Sequence, residues 1–443
     1  MPKNFVQELV KRGMLHNITP DTENFLLKNK TSGYIGFDPT AESLHIGSLV
    51  QIIILMHFQQ SGHRPIVLLG GATGMIGDPS GKSDERNLLD KNTLKTNVKL
   101  IKNQFENFLD FQTKNNNTAL LINNYDWMKE FSLLDFSREI GKNITVNYMM
   151  SKDSVKKRIH GDDKEGMSFT EFTYQLIQGY DFLHLYNNFD CKIQMGGSDQ
   201  WGNITTGTEL IRRKVAGKAY ALTCPLITKS DGSKFGKTEH GNIWLDKNKT
   251  STYKFYQYWL NTSDEDAESY IKIFTFLSLN KIAIIIDEHS NSPHKRLLQT
   301  QLADNVTELV HGKKELKKAK TASKILFGKD TAKHLKKIDQ KTFLEIFDGV
   351  PQKELSIKSL KKGISTISAL STESNFLKSI SETRRAFREN SIMINKIKVD
   401  EGYMLGSSDL IGKQFILLQR GKKNYFIHLM ILMQKYLKLI QSM

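Results

Sequence analysis

The segment Tyr34-Ile35-Gly36-Phe37-Asp38-Pro39-Thr40-Ala41-Glu42-Ser43-Leu44-His45-Ile46-Gly47-Ser48 decides the fold. It begins with an apolar run and continues into Asp38-Pro39, which predicts a strand that ends in a loop. The apolar run from Leu49 to Phe58 then predicts a helix. A strand, a loop and a helix N-terminus in this order form the place where α/β sheets gather ligands.

The start of this helix suits a phosphate group. Its first turn presents unpaired N–H groups and the positive end of the helix dipole. His45 and Thr40 add side-chain donors, and Gly47 lets a ligand approach the backbone closely. On its own, a His-x-Gly sequence at a helix start is a weak functional signal, so this interpretation depends on motifs further along the chain.

The composition limits the class of protein and the kind of partner. The 443 residues suggest two to four domains, and a formal net charge of +16 points to a polyanionic partner, although lysine-rich surfaces also serve solubility. We see no run of membrane-spanning length and no secretory signal, and two cysteines make neither a disulfide framework nor a zinc site. We therefore expect a cytoplasmic protein without a membrane partner or a bound metal.

A second strand and a glycine-rich loop follow the first helix. The run from Arg64 to Leu69 predicts a buried strand, and strand, helix and strand over this distance predict a parallel βαβ unit. The next loop, Gly70–Lys82, contains Asp78. It does not meet the full spacing of a phosphate loop, so a binding loop and a tight connection both remain open.

A polar face occurs on an otherwise apolar helix between Ser168 and Leu183. Tyr174, Gln178 and Asp181 stand at positions i, i+4 and i+7, which places them on one face. Polar groups on a buried helix must find partners. They form either a structural network or the wall of a pocket for a polar ligand.

Two further segments combine glycines with polar or charged residues that could contact a nucleotide. Lys192–Gly197 predicts a strand, and Asp199 and Gln200 follow it as ribose-binding groups or as a helix cap. Between Lys229 and Glu239, glycines predict a mobile loop whose lysines can follow charge on phosphates, although a solvated basic loop is the plainer interpretation.

The chain divides into four parts by pattern. Residues 1–228 predict a Rossmann-like parallel-sheet domain with a helical insertion at about 84–190, and 229–325 predict a loop and an α-helical domain. Residues 326–373 look like a linker. Residues 374–443 predict a small α+β module in which a basic helix precedes a hairpin turning at Asn395-Lys396, an arrangement that suits RNA.

Taken together and in this order, the motifs resemble bacterial-type tyrosyl-tRNA synthetases of class I over nearly the whole chain. The HIGH motif of that family corresponds to His45-Ile46-Gly47-Ser48, and its KMSKS motif corresponds to Lys234-Phe235-Gly236-Lys237-Thr238. Ser48 stands where the family has a histidine. A serine can still donate a hydrogen bond, so activity is expected.

The resemblance implies a role for each matching residue. Those that contact the reacting phosphates are Thr40, His45, Lys234, Lys237 and Thr238. Those that bind tyrosine are Tyr34, Asp78, Tyr174, Gln178, Asp181 and Gln194. Those that bind ATP are Gly36, Asp38, Gly47, Ser48, Asp199, Gln200 and Lys237. Those that bind RNA are Arg384, Arg385, Arg388, Lys396, Lys422 and Lys423.

The resemblance also implies substrates and partners. ATP with Mg²⁺ activates L-tyrosine, the tyrosyl group passes to tRNA(Tyr), no prosthetic group is needed, and two chains form a homodimer through the insertion. A tryptophanyl-tRNA synthetase is the nearest alternative, and Asp181 with Tyr34 argues for a phenol rather than an indole. An inactive RNA-binding relative and a nucleotidyltransferase fit the set of motifs less well.

Overall fold

The computed structural model describes residues 4–80, 89–113, 116–160, 166–233, 235–238, 241–327, 332, 335, 336, 338–421 and 424–431. These residues form two compact units. The first contains the residues up to Thr250 together with Trp259–Val310, and the second contains Ser251–Tyr258 together with the residues from His311 onward. Within the described ranges, no helix is both long and apolar enough to cross a membrane.

A six-stranded sheet forms the centre of the first unit, in the spatial order β1-β6-β5-β2-β3-β4. Strands β2 to β6 pair in parallel as predicted, but β1 pairs antiparallel with β6. The predicted parallel sheet therefore forms the main part of this sheet, and β1 adds an antiparallel strand at its edge. The strands are β1 (Asn17–Ile18), β2 (Ser32–Phe37), β3 (Arg64–Leu69), β4 (Leu120–Asn123), β5 (Cys191–Gly197) and β6 (Tyr220–Cys224).

Helices surround this sheet. They are α1 (Phe5–Lys11), α2 (Thr22–Lys28), α3 (Ile46–Gln60), α4 (Thr73–Ile76), α5 (Lys91–Phe105), α6 (Tyr125–Met128), α7 (Leu133–Glu139), α8 (Val146–Met150), α9 (Asp153–His160), α10 (Phe169–Asn188) and α11 (Trp201–Val215). The predicted helices at 250–325 are confirmed as α12 (Thr252–Leu260), α13 (Asp264–Phe274), α14 (Leu279–Asn291) and α15 (Leu297–Phe327).

The segment that decides the fold forms β2 and α3 as predicted. β2 is buried on both faces except at Gly36, as expected for a central strand of a parallel sheet. α3 buries an apolar surface that includes Leu49, Ile52 and Ile53. Burial of such side chains contributes roughly 1.5–3 kcal/mol each, which fixes the helix behind the sheet.

The expected insertion at about 84–190 is narrower than predicted. Leu120–Asn123 forms β4, which pairs in parallel with β3 and belongs to the central sheet. α10 also packs directly against β5 of this sheet. A capping box between Ser168 and Glu171 begins α10, and Glu171 forms a buried ion pair with Arg158 over 3.0 Å. Among the described residues, α6, α7, α8 and α9 lie between β4 and α10 and form the remaining part of the predicted insertion.

A five-stranded sheet forms the second unit, in the order β12-β11-β14-β15-β9. Its strands are β9 (Gln352–Ser356), β11 (Ile392–Ile394), β12 (Ile397–Lys398), β14 (Phe415–Arg420) and β15 (Asn424–Ile431), and the short β10 (Ile364–Ser365) and β13 (Met404–Leu405) pair separately. The remaining helices are α16 (Gln340–Ile346), α17 (Ile357–Lys362), α18 (Thr366–Leu370) and α19 (Ile380–Arg388).

The prediction of a linker at 326–373 was wrong for its described part. β9 pairs in parallel with β15, and Leu355, Leu360 and Leu370 are buried in the core of this unit. The sequence concealed this strand because its other side chains are polar and exposed. The predicted hairpin is confirmed, and Asn395 and Lys396 both have positive φ angles, as a tight turn requires.

Candidate active site

Twelve of the predicted residues line one cavity at the carboxyl ends of β2 and β5. They are Tyr34, Gly36, Asp38, Thr40, Ser48, Asp78, Tyr174, Gln178, Asp181, Gln194, Asp199 and Gln200. The cavity lies where a parallel sheet is expected to bind ligands. The polar face of α10 therefore lines this cavity, and its Tyr174 and Asp181 also form hydrogen bonds within the protein, so both alternatives that the sequence left open have structural support.

The N-terminus of α3 borders this cavity through Ser48. His45 is the N-cap residue, and its Nδ1 accepts a hydrogen bond from the Gly47 N–H over 3.0 Å. This bond places the ring proton on Nε2, which makes Nε2 a donor. His45 and Gly47 thus shape the helix start next to the cavity.

Two hydrogen-bonded carboxylates lie in the cavity wall. Asp38 accepts from the Tyr174 hydroxyl over 2.8 Å and from the Thr73 hydroxyl over 2.6 Å. Asp181 accepts from Asn124 Nδ2 over 2.9 Å and from Trp127 Nε1 over 2.8 Å. Burial raises the pKa of Asp181 to about 7, although both of its hydrogen bonds act in the opposite direction.

Three buried polar atoms in the same wall have no partner within the described residues: Tyr34 Oη, Gln178 Oε1 and Gln194 Oε1. Burial and the negative charge of Asp181 raise the pKa of Tyr34 well above its usual value. Unsatisfied polar atoms are costly in a protein interior, so their presence around one cavity indicates a polar ligand.

A third group of polar side chains closes the cavity near β5. Gln200 Nε2 donates to Asp78 Oδ2 over 2.7 Å, and the Ser80 N–H donates to Asp78 Oδ1 over 3.0 Å. Burial and the neighbouring Asp78 charge raise the pKa of Asp199. The structure thus joins Asp78, predicted to bind tyrosine, to Gln200, predicted to bind ATP.

The loop predicted to close over phosphates lies against the start of α3. Ile46 N–H donates to the Ile243 carbonyl over 3.0 Å, and Ile243 N–H donates to the Gly236 carbonyl over 3.0 Å. Lys237 and Thr238 form β7 (Lys237–Thr238), which pairs with β8 (Gly241–Asn242). Lys234 lies outside the described residues. The two separated motifs are thereby brought together.

The predicted RNA-binding residues lie in the second unit. Arg384 and Arg385 are on α19 and form ion pairs with Glu401 and Glu389, while Arg388 is exposed. Lys396 Nζ donates to the Tyr425 hydroxyl over 2.7 Å. Lys422 and Lys423 lie outside the described residues. The RNA-binding role of this surface stays a prediction.

Sequence reasoning missed Thr73, Asn124 and Trp127. Asn124 connects the two carboxylates, since its Nδ2 donates to Asp181 and also to the Thr73 hydroxyl over 3.1 Å. A signal was present in the sequence, because Asn123 and Asn124 directly follow the apolar run 119–122, at the end of β4. Polar residues at the end of a parallel strand belong to the same edge as the other strand ends.

Comparison with known proteins agrees with this geometry. Residues 27–328 match the model of the family described as tRNA synthetases class I (W and Y). The chain belongs to this family of class I tRNA synthetases. Residues 342–428 match a second family model, described as the tyrosine–tRNA ligase SYY-like C-terminal domain. Together the two matches cover both units of this class I synthetase.

Its relatives include curated proteins and solved structures. The tyrosine–tRNA ligase of Flavobacterium psychrophilum is 64% identical over 427 residues, which cover 96% of this chain and 99% of the relative. That of Bacteroides fragilis is 57% identical over 425 residues, covering 96% and 99%. A truncated mitochondrial tyrosyl-tRNA synthetase from Aspergillus nidulans has a TM-score of 0.65 and 32% identity, covering 73% of this chain and 94% of that chain.

Proposed function

We propose that this synthetase is a tyrosine–tRNA ligase that activates L-tyrosine with ATP and transfers it to the 3′ end of tRNA(Tyr). The family and the names of its relatives support the reaction. The observation that carries the choice of amino acid is that two groups line one cavity: the Tyr34 hydroxyl, which has no partner within the described residues, and the Asp181 carboxylate.

The Tyr34–Asp181 pair recognises the phenol hydroxyl. Asp181 accepts a hydrogen bond from the phenol hydroxyl, and Tyr34 Oη forms a second hydrogen bond to the phenol oxygen. Phenylalanine would leave both groups unpaired inside the protein, which is the source of selectivity when a site is built around a hydroxyl. Asn124 and Trp127 hold both carboxylate oxygens of Asp181, so the acceptor is fixed in place before the substrate arrives.

The opposite end of the amino acid lies among Tyr174, Gln178 and Asp78. An ammonium group provides three donors, and the Gln178 Oε1 atom, which lacks a partner, is an acceptor for one of them. Asp78 and Asp38 supply the negative charge on this side of the cavity. This arrangement directs the tyrosine carboxylate towards the start of α3.

The first step joins a tyrosine carboxylate oxygen to the α-phosphorus of ATP, and the bond from that phosphorus to the pyrophosphate oxygen breaks. No protein group needs to move a proton, so positioning and charge stabilisation account for the rate. Thr40, the Nε2–H of His45 and the N-terminus of α3 donate to the phosphates. We assign Lys234, Lys237 and Thr238 to the leaving pyrophosphate, and Mg²⁺ bound with ATP would add positive charge at the same phosphates.

In the second step, a bond forms between the tyrosyl carbonyl carbon and a hydroxyl oxygen at the 3′ end of tRNA, the bond from that carbon to AMP breaks, and AMP leaves. The positive charge of the chain attracts the tRNA. Arg384, Arg385 and Arg388 on α19 contact phosphates together with Lys396, Lys422 and Lys423. The ion pairs of Arg384 and Arg385 are solvent-exposed, and such pairs contribute little, so they can exchange for phosphate contacts. Binding of this kind weakens steeply as salt rises.

We also propose a homodimer, and the surface of the helices between β4 and α10 supports it. Leu133 and Leu134 on α7 are 72% and 80% exposed, and Phe169 at the start of α10 is 74% exposed. Exposed apolar patches mark interaction sites, and we assign these side chains to one such patch. A second copy of the chain, placed by a twofold axis, covers the same surface on both subunits.

The deciding experiment is amino-acid-dependent ATP–pyrophosphate exchange with tyrosine, phenylalanine and tryptophan in parallel, followed by charging of bulk tRNA. We expect exchange and charging with tyrosine alone. Exchange with tryptophan would instead support a tryptophanyl-tRNA synthetase, the alternative activity within this family. A folded protein that exchanges none of the three would contradict the proposal.

A further inference from the structure

The loop with the KMSKS-type motif contains an aromatic residue that packs into a cluster of other aromatic rings. Phe235 is half-buried at the second position of this motif. Its ring stacks on Phe274 with the ring centroids 5.3 Å apart, and it meets Tyr270 edge to face at 5.1 Å. Trp259 lies on another side, with its ring centroid 6.0 Å away. Aromatic rings in such geometries attract one another beyond the effect of burial alone, so these contacts hold Phe235 in place.

The three surrounding rings also pack on one another. Trp259 and Phe274 are 4.9 Å apart between centroids, and Tyr270 meets Phe274 edge to face at 5.8 Å. All three side chains are buried. They come from α12 and α13 and belong to the first unit. A buried, closely packed cluster has little freedom to rearrange, so it forms a fixed receptor for the Phe235 ring.

Hydrogen bonds fasten the preceding residues of the chain to the same helix. The Tyr270 hydroxyl donates to the Thr228 carbonyl over 3.1 Å, and the Ser230 N–H donates to Asp266 Oδ1 over 2.8 Å. Tyr270 and Asp266 are both on α13. The segment from Thr228 to Phe235 is therefore held by α13 at three points.

The helix α13 also packs against α3, which begins with the HIGH-type motif. Directly after Phe235 the loop passes over the start of α3. Gly236 is buried there with a φ of +81°, and a Cβ placed on it would lie 3.0 Å from Ile46 Cγ1 and 3.8 Å from the Gly47 N atom. Since Lys237 is the next residue, the contacts of Phe235 set where the backbone of Lys237 begins.

We propose that Phe235 is a positioning residue that fixes the KMSKS-type motif to α13, so that Lys237 and Thr238 act beside the start of α3 when pyrophosphate leaves. This inference rests on the proposed assignment of those two residues to the pyrophosphate. It makes α13 a common support for both motifs. Placement matters for the rate because a displacement of about 1 Å can lower it roughly 100-fold.

The test compares three variants of the full-length chain by ATP–pyrophosphate exchange at varied tyrosine, with melting temperatures measured in parallel. Phe235→Ala removes the anchoring ring. Phe235→Met keeps a long, adaptable apolar side chain that can fill the same receptor. Tyr270→Phe keeps the receptor ring and removes only its bond to Thr228. The matched control is Phe276→Ala, because this half-buried ring lies just beyond α13 and packs on His57 at 4.7 Å.

Phe235→Ala should lower kcat about 10- to 100-fold and leave the KM for tyrosine within about 2-fold, since the loop acts on the transition state rather than on bound tyrosine. Phe235→Met should restore kcat to within about 3-fold of the unmodified chain. Tyr270→Phe should lower kcat about 2- to 5-fold through the loss of one hydrogen bond. Phe276→Ala should lower the melting temperature and leave kcat unchanged.

Two results would overturn the inference while the proposed function stands. One is an unchanged kcat in Phe235→Ala, and the other is an equal loss of kcat in Phe276→Ala. If Phe235→Ala does not fold, Tyr270→Phe decides, and an unchanged kcat in that variant would overturn the inference. Failure of the proposed function has a different signature, because the unmodified protein would then show no tyrosine-dependent exchange.

Discussion

The hydroxyl of Tyr174 donates to Asp38 Oδ2 over 2.8 Å and thereby connects α10 to the end of β2. Tyr174→Phe removes this donor from the half-buried Asp38 carboxylate, which keeps the hydrogen bond from the Thr73 hydroxyl. We expect the KM for tyrosine to rise about 3- to 10-fold, the cost of one hydrogen bond, with a smaller change in the KM for ATP. Steady-state ATP–pyrophosphate exchange at varied tyrosine measures this KM.

The control for this variant is Tyr180→Phe, which lies on the same helix but outside the cavity. Equal effects at both positions would refute the role of Tyr174.

Selectivity should depend on Asp181. Asp181→Asn keeps the size of the side chain, but its NH₂ group faces one of the two donors, Asn124 or Trp127, that now hold the carboxylate. The ratio of kcat/KM for tyrosine over phenylalanine should fall at least about 10-fold, because the acceptor for the phenol is disturbed while the apolar part of the pocket remains. Exchange assays with both amino acids give the ratio.

The control for this variant is Asp126→Asn, an exposed position beside Trp127. If Asp181→Asn reduced kcat/KM by the same factor for tyrosine and phenylalanine, the carboxylate would have no part in recognising the hydroxyl.

Stability should also respond to Asp181 through pH. Burial raises its pKa in the folded protein to about 7, above the ordinary value of 3.8. Between these values the unfolded chain loses the proton and the folded chain keeps it, so the free energy of unfolding falls as pH rises, by about 1.4 kcal/mol per pH unit at most. Urea unfolding at pH 5 and pH 7 should therefore show less loss of stability in Asp181→Asn than in the unmodified chain. An identical pH dependence in both proteins would exclude a raised pKa at this site.

The sequence predicts the cavity at the ends of β2 and β5 well, because the patterns that indicate its strands and helices are local and agree with one another. The end of β2, the start of α3 and the polar face of α10 each follow from short-range periodicity, and the order of the motifs supplies their common location. Asp38, Tyr174 and Asp181 meet in one cavity for this reason.

Other features depend on long-range pairing that no local pattern records. β9 carries mostly polar side chains and becomes a strand only because β15, far along the chain, offers an edge. β1 is a two-residue strand whose direction is set by β6. Asn124 donates a hydrogen bond to Asp181, which lies 57 positions further along the chain. The strand end before Asn124 indicates that the residue lies near the site, but no local pattern identifies Asp181 as its partner.

Self-association should depend on the exposed leucines of α7. Leu134→Glu places a charge in the apolar surface that we assign to the dimer, and burying an unpaired charge is unfavourable by several kcal/mol. The variant should sediment as a monomer at micromolar concentration, whereas the unmodified chain sediments as a dimer. Ile284→Glu, on α14 with 58% exposure, is the matched control and should stay dimeric. A dimer that persists in Leu134→Glu would place the interface elsewhere.

Two glycines of β2 should separate binding from folding. A Cβ on Gly36 would meet no atom within 4 Å and would extend into the cavity, whereas a Cβ on Gly33 would lie 2.6 Å from Ile193 and 2.8 Å from Phe58. Gly36→Ala should keep the melting temperature but raise the KM for tyrosine or ATP, since the methyl group occupies substrate space. Gly33→Ala should lower the free energy of unfolding by about 1–3 kcal/mol through overpacking. Differential scanning fluorimetry measures the melting temperature of both variants, and exchange kinetics measure their KM values. A destabilised Gly36→Ala with unchanged KM values would show that the cavity beside β2 is not where the substrates bind.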